Sequence, residues 1–309
     1  MTIAYLFPGQ GSQAVGMGKD LYDRSAEARA LFDRADEVLG FPLSKLCFEG
    51  PEEELRLTRN TQPALLVVST AAVRMLGRDP AVAAGHSLGE YSALVAAGCL
   101  RFEEAVRLVH KRGRFMQEAV PVGVGAMAAV LGVPGEEIER RLVDVHSGVV
   151  EIANWNSDDQ IVISGEKAAV EEALAMIKAP RSVMLPVSAP FHSRLMKPAE
   201  ERLAADLDAA AFADPRFPIV TNVDARLIRT AADARDALKR QVSRSVLWTR
   251  SMAVLKDLGV DACVECGPGK VLAGLVKRIG RGWPQPPALY NVETGEGAEK
   301  TKAALFGLL

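Results

Sequence analysis

Cysteine is scarce in this sequence: Cys47, Cys99, Cys263 and Cys266 are scattered through 309 residues, too few for a disulfide framework. Long apolar runs are missing as well. None approaches the roughly 18–20 residues that a spanning helix needs, so no membrane partner is expected. The opening Met1-Thr2-Ile3-Ala4-Tyr5 lacks the basic head and small-residue cleavage site of a secretory signal, and a cytoplasmic location is the expectation. Nor is one sign of charge in excess: 37 basic against 39 acidic residues leave −2, without the basic surplus that nucleic acid demands. What the chain does have is an ordinary apolar fraction, 49%, which excludes disorder. A chain of about 300 residues buries roughly 75% of its unfolded surface and needs no metal or staple to fold. The length allows one large domain or two coupled ones, and a globular enzyme is the class that remains.

Hydrophobic spacing supplies the organisation. Residues 2–7 are a short apolar run ended by Pro8-Gly9, a buried strand. Residues 20–39 carry helical spacing, 61–76 form a long apolar helix behind Pro63, and 81–84 form a second strand before another apolar helix. Strands alternating with helices imply an α/β fold with a mostly parallel sheet. Between them the rhythm changes. Strands at 125–132, 149–154, 160–164 and 182–186 and helices at 136–145 and 168–177 follow the order β-α-β-β-α-β, with Asn156-Ser157-Asp158-Asp159 as the central turn. That is the order of a ferredoxin-like unit. The expectation is a small ferredoxin-like domain, 124–189, inserted into a large domain made of 1–123 and 190–309.

Gly85-His86-Ser87-Leu88-Gly89 is a G-x-S-x-G between a predicted strand and a predicted helix, the setting of a nucleophile elbow. The N–H of Leu88, opening the helix, is placed to stabilise an oxyanion. The alternative is a serine that only serves a turn. A nucleophilic serine needs a base, and the chain has four histidines. His86 is adjacent to Ser87 and points elsewhere, while His110 and His146 fall in or at the end of helices. His192, in the proline-interrupted loop Ser188-Ala189-Pro190-Phe191-His192-Ser193, is favoured by elimination, giving a Ser–His dyad with no assigned acid.

Arg112 stands out by its position. At about 100° per residue, the helix from Phe102 to Met116 has one continuous apolar arc, and Arg112 falls inside it between Leu108 and Ala105. A buried guanidinium needs an anion. Either an internal acid supplies it in a salt bridge, or a substrate carboxylate does in a bidentate clamp. Two other patterns carry less. Gly9-Gln10-Gly11-Ser12-Gln13-Ala14 mimics a dinucleotide fingerprint, but the following stretch is helical where a second strand is required. Cys263-Val264-Glu265-Cys266 lies in a strand, where positions i and i+3 face opposite sides, so no metal site is expected.

Five segments follow one another in a recognisable order: Phe7-Pro8-Gly9-Gln10-Gly11-Ser12-Gln13, Gly85-His86-Ser87-Leu88-Gly89-Glu90-Tyr91, Arg112 ahead of Met116-Gln117-Glu118, Phe191-His192-Ser193, and Glu265-Cys266-Gly267-Pro268-Gly269. Over nearly the whole chain this order resembles the malonyl-CoA:acyl carrier protein transacylase family of bacterial fatty-acid synthesis. The resemblance implies an α/β-hydrolase-like large domain with a ferredoxin-like small one and a site in the cleft between them. It implies Ser87 as nucleophile, His192 as base and then acid, the N–H groups of Gln10 and Leu88 as oxyanion hole, and Arg112 on the malonyl carboxylate. Gln62 matches a position near the acyl pocket, and Phe191 resembles malonyl-selective members. A main-chain carbonyl in the segment Ser245-Val246-Leu247-Trp248 is implied to orient the histidine, with Leu247 where many members carry Gln or Arg. Malonyl-CoA is the implied substrate, with no bound cofactor. Acyl carrier protein is the implied partner, docking on basic residues such as Arg181, Arg194, Lys197, Lys270 and Lys277, and a monomer is expected. The same residues also suit a polyketide pathway, another acyl donor such as methylmalonyl or acetyl, a serine thioester hydrolase, or a silent carrier-binding module.

Overall fold

The computed structural model describes residues 1–187 and 189–307; Ser188, in the loop ahead of His192, lies outside them. In chain order the strands are β1 (Ile3–Phe7), β2 (Val82–Gly85), β3 (Gly125–Leu131), β4 (Val150–Ser157), β5 (Gln160–Glu166), β6 (Arg181–Met184), β7 (Ile219–Val220), β8 (Leu227–Ile228), β9 (Ala262–Cys266) and β10 (Ala288–Val292). Among the described residues they make two sheets, ordered β10-β9-β1-β2-β7-β8 and β4-β5-β3-β6. The larger is parallel from β10 through β7 and turns antiparallel only at β8. The smaller is antiparallel throughout.

A parallel sheet must be covered on both faces, so its strands read as largely apolar runs, with Glu265 in β9 and Asn291 in β10 as polar exceptions. In β1, Tyr5 and Phe7 enter one core and Ala4 and Leu6 the opposite one. The same alternation parts the two cysteines of β9: Cys263 and Cys266 are free, buried and packed in different clusters. The smaller sheet packs one face on its own helices, Gly135–Leu142 and Lys167–Ile177, around Ile138, Val170, Ile152 and Ile163. Its other face gives Met127, Ala153 and Val162 to the core of the large sheet.

The helix Thr58–Leu76 is buried on nearly every side and contains Pro63 rather than starting behind it. Proline has no N–H for the carbonyl four residues back. That carbonyl, on Arg59, instead accepts a hydrogen bond from His110 Nδ1 at 2.9 Å, which gives His110 a structural task. The single helix predicted over 20–39 is two, Lys19–Arg24 and Ala26–Leu39, because the Ser25 hydroxyl accepts from the Ala28 N–H and restarts the chain as an N-cap. The turn between β4 and β5 is tighter than predicted: Asn156 and Ser157 belong to β4. Helices Leu43–Glu49, Glu52–Arg56 and Gly295–Phe306, and strands β8 and β10, carry too little periodicity to be predicted.

The elbow depends on close approach. A Cβ on Gly85 would lie 1.9 Å from the Gly89 carbonyl carbon, and one on Gly89 would lie 2.0 Å from the Phe7 carbonyl oxygen. Neither neighbour is a side chain that can rotate away. Gly89→Ala is therefore expected to force β1 from the elbow helix at a cost on the order of 3 kcal/mol. Urea unfolding checks this; a change below 0.5 kcal/mol, the surface-substitution range, contradicts the packing.

Candidate active site

β2 ends at Gly85 and the helix Gly89–Ala96 begins four residues later, so His86-Ser87-Leu88 must turn sharply. Ser87 adopts φ 51°, a left-handed conformation costly for a residue with a side chain. Asn222, just after β7, brackets the turn: its Oδ1 accepts from the Ser87 N–H and its Nδ2 donates to the Gly85 carbonyl, both at 2.6 Å. The hydroxyl lies 2.8 Å from His192 Nε2. His192 has φ 59° and is 5% exposed, in a loop closed by Ser193 Oγ donating to the Pro190 carbonyl. Its Nδ1 faces two carbonyls, Gln241 at 2.9 Å and Arg244 at 3.1 Å. Carbonyls only accept, so Nδ1 carries the proton and Nε2 is left to receive the serine's. This corrects the expectation for the Leu247 segment. The Leu247 carbonyl opens the helix Trp248–Asp257 by accepting from the Ser251 N–H, and the carbonyls on the histidine come from Gln241 and Arg244.

Arg112 is 1% exposed. Its Nη1 donates to Gln62 Oε1 at 2.8 Å, and its Nη2 to Gln241 Oε1 at 2.9 Å and Ser87 Oγ at 3.2 Å. The guanidinium sits 5.6 Å from the Tyr91 ring centroid. Among the described residues no carboxylate pairs with it, so the internal salt bridge that its burial allowed is not what holds it. A chamber of about 110 Å³ has Gln10, Gln62, Ser87, Leu88, Arg112 and Phe191 on its wall. A wider groove of about 960 Å³ also reaches His192, between Trp155 of β4 and Arg194, Lys197 and Arg244. Leu88 caps the elbow helix, where first-turn N–H groups have no intrahelical acceptor, and the Gln10 side chain is held by Thr58 Oγ1. The arrangement can activate a hydroxyl, stabilise an oxyanion and hold a carboxylate within one small chamber.

His86 turns away from the serine, as expected. Its Nε2 lies 2.8 Å from Asn156 Oδ1 and its ring stacks near Trp248. Arg181, Arg194, Lys197, Lys270 and Lys277 are exposed, with Arg194 on Glu151 and Lys197 on Glu200. Sequence reasoning missed Asn222, Gln241 and Glu90. The first two are uncharged residues at element ends and send no signal. Glu90 does: it is the one charge in the apolar helix Gly89–Ala96, as Arg112 is the one charge inside an apolar arc.

Burial, helped by the charge of Arg112, pushes the His192 imidazole down to about 3 from its ordinary 6.5. It is a neutral base through the physiological range. The unfolded chain binds this proton near pH 6.5 and the folded one only near pH 3, so stability falls as pH drops through that window. Between pH 7 and 5 the protein is expected to lose about 2 kcal/mol more than its His192→Asn variant. Urea unfolding of both at the two pH values measures it; parallel losses contradict the buried neutral imidazole.

Comparison with known proteins agrees with this geometry. Residues 4–281 match the acyl transferase domain family. The malonyl CoA-acyl carrier protein transacylase of Bacillus subtilis (strain 168) is 50% identical over 287 residues, covering 90% of each chain. A crystal structure of an acyl carrier protein S-malonyltransferase from Vibrio cholerae superposes with TM-score 0.94 at 44% identity, covering 98% of this chain and 100% of that one. A malonyl-transacylase solved in complex with a type II polyketide acyl-carrier protein gives TM-score 0.94 at 43% identity, with both chains fully covered. With a serine elbow, an imidazole and a buried cation in one chamber, and this likeness along its length, the chain belongs to the acyl transferase domain family, among the malonyl CoA-acyl carrier protein transacylases.

Proposed function

We propose that this chain moves a malonyl group from malonyl-CoA to the phosphopantetheine thiol of acyl carrier protein in fatty-acid synthesis, through a malonyl ester of Ser87. Ser87 Oγ attacks the thioester carbonyl as its proton passes to His192 Nε2, 2.8 Å away. The N–H groups of Gln10 and Leu88 take the oxyanion. The carbon–sulfur bond breaks and the CoA thiolate takes the proton from His192. The carrier's thiol then gives its proton to His192 and attacks the ester, and Ser87 recovers its own. These are transfers between oxygen and sulfur, and malonyl-CoA is a substrate; no bound cofactor is needed.

The observation that carries this reading is the buried Arg112 without an internal acid, beside the nucleophile. A guanidinium presented to a chamber by uncharged amides can exchange them for a carboxylate, the part that distinguishes malonyl from acetyl. Phe191 on the chamber wall disfavours an α-methyl branch, a discrimination limited to about 1–3 kcal/mol. The pantetheine arm of either substrate reaches His192 through the wider groove, and exposed Arg181, Lys270 and Lys277 receive the carrier. On the same reading 124–189 is the inserted domain and 1–123 with 190–309 the catalytic one. The enzyme works as a monomer in the cytoplasm, away from membranes and nucleic acid; no helix among the described residues is long and apolar enough to cross a membrane.

Ser87→Ala is expected to abolish the malonyl adduct that intact-mass measurement finds on the wild type after exposure to malonyl-CoA, and an adduct on the variant removes the nucleophile assignment. Arg112→Ala is expected to lower kcat/KM for malonyl transfer about 100-fold, the worth of a charge-assisted bond near 3 kcal/mol, with a much smaller loss for acetyl transfer. Equal losses on both donors refute the clamp. Rapid malonate release indifferent to carrier protein indicates a hydrolase instead.

A further inference from the structure

Glu90 takes no part in the steps above, yet it is 1% exposed behind the elbow, in the first turn of the helix Gly89–Ala96. A buried carboxylate is costly unless its oxygens are satisfied. Its Oε2 accepts from the Asn222 N–H at 2.9 Å and from Gln241 Nε2 at 2.8 Å, and among the described residues it has no ion pair. Gln241 in turn touches Ser87, Arg112 and His192. Its Nε2 donates to the Ser87 carbonyl at 3.0 Å, its Oε1 accepts from Arg112 at 2.9 Å, and its main-chain carbonyl holds His192 Nδ1.

We infer that Glu90 is a positioning residue for malonyl selectivity: through the side-chain amide of Gln241 it orients Arg112 at one remove. This rests on the function proposed above. An amide's two ends have nearly the same shape, so which one faces the guanidinium depends on what faces the other. A carboxylate only accepts, so the Gln241 NH2 turns to Glu90 and its oxygen is left for Arg112, which only donates. A direct Glu–Arg pair would neutralise the buried cation but compete with the substrate's carboxylate for it. The interposed amide presents its oxygen to the cation and leaves the guanidinium exchangeable.

Glu90→Gln removes the closer of the two acceptors on the Gln241 NH2, leaving the Ser87 carbonyl, while keeping the volume. It is expected to raise KM for malonyl-CoA, lowering kcat/KM for malonyl transfer about tenfold and for acetyl transfer less than threefold, in the range of one lost hydrogen bond to a charged group. Gln241→Met keeps the carbonyl on His192 and removes the amide, so the same selective loss is expected. Glu90→Asp, which keeps the carboxylate, is expected to recover part of it. The decisive measurement adds Glu90→Gln to Arg112→Ala, where it should change malonyl transfer no further, because residues acting through one another are not additive. Loss of both donors alike in Glu90→Gln, or an undiminished effect in the Arg112→Ala background, overturns the inference and makes Glu90 merely structural. A failure of the wider reading shows separately, as equal losses of malonyl and acetyl transfer in the Arg112→Ala variant alone.

Discussion

A guanidinium keeps its proton across the working pH range, so Arg112 brings a full charge to a buried position, at a desolvation cost of several kcal/mol. The rest of the site is arranged around that charge. Gln62 comes from the central helix, Ser87 from the elbow and Gln241 from the end of the helix Ala231–Gln241, three segments distant in sequence that meet on one side chain. All three offer neutral oxygens, and the one nearby carboxylate is kept behind an amide. The same charge also lowers the affinity of His192 for a proton, second only to burial in doing so. On the proposed function, one cation thus serves both to grip an anionic cargo and to keep the base in its working form.

Neither member of the dyad sits in a relaxed backbone. Ser87 and His192 have φ of 51° and 59°, each left-handed without being glycine, a strain of about 1–3 kcal/mol apiece. Asn222 offsets the first by binding on both sides of the turn, and the loop bond from Ser193 to Pro190 together with the two carbonyls on Nδ1 offsets the second. The two held turns face each other, so the 2.8 Å contact between hydroxyl and imidazole is built into the backbone and does not depend on side-chain freedom.

Periodicity made legible what depends on a face. The Phe102–Glu118 helix buries the arc its spacing predicts, Arg112 included, and β-α-β-β-α-β emerges as the antiparallel sheet with its helices on one side. The strand–turn–helix setting of Ser87 was readable for the same reason: glycine spacing is a local signal. What was illegible depends on convergence. Asn222 follows a two-residue strand and Gln241 ends a helix that the sequence places at 231–241, and nothing local says that both point to the elbow. The misplacement of the histidine's carbonyl at Leu247 has the same origin, since the carbonyls of Gln241 and Arg244 are available only because the chain has not yet begun the next helix, whereas that of Leu247 is consumed by it. The missed β10 follows a proline-rich stretch at the sheet edge, where a lone strand has little pattern to offer.

The smaller sheet is joined to the larger domain's chain at the place that holds the His192 imidazole. Trp155 of β4 donates to the Val246 carbonyl and Val246 donates back to Ala153, while Ser245 and Thr249 reach the carbonyls of Ile152 and Trp155. Val246 lies two residues from Arg244, whose carbonyl rests on His192. A shift of β4 therefore bears on the imidazole through a very short length of chain, and such a seam suits a fixed cleft better than a swinging lid. It also divides the labour. Met127 of β3, with Leu185 and Val187 beyond β6, walls the chamber from the insertion, while Ser87, Leu88 and Arg112 enter from the parallel sheet and its helices. Chamber shape can then change at Met127, Leu185 and Val187 while the strained elbow, the imidazole and the buried cation keep their geometry, because the seam that bears on the imidazole is made by β4 and not by those three residues.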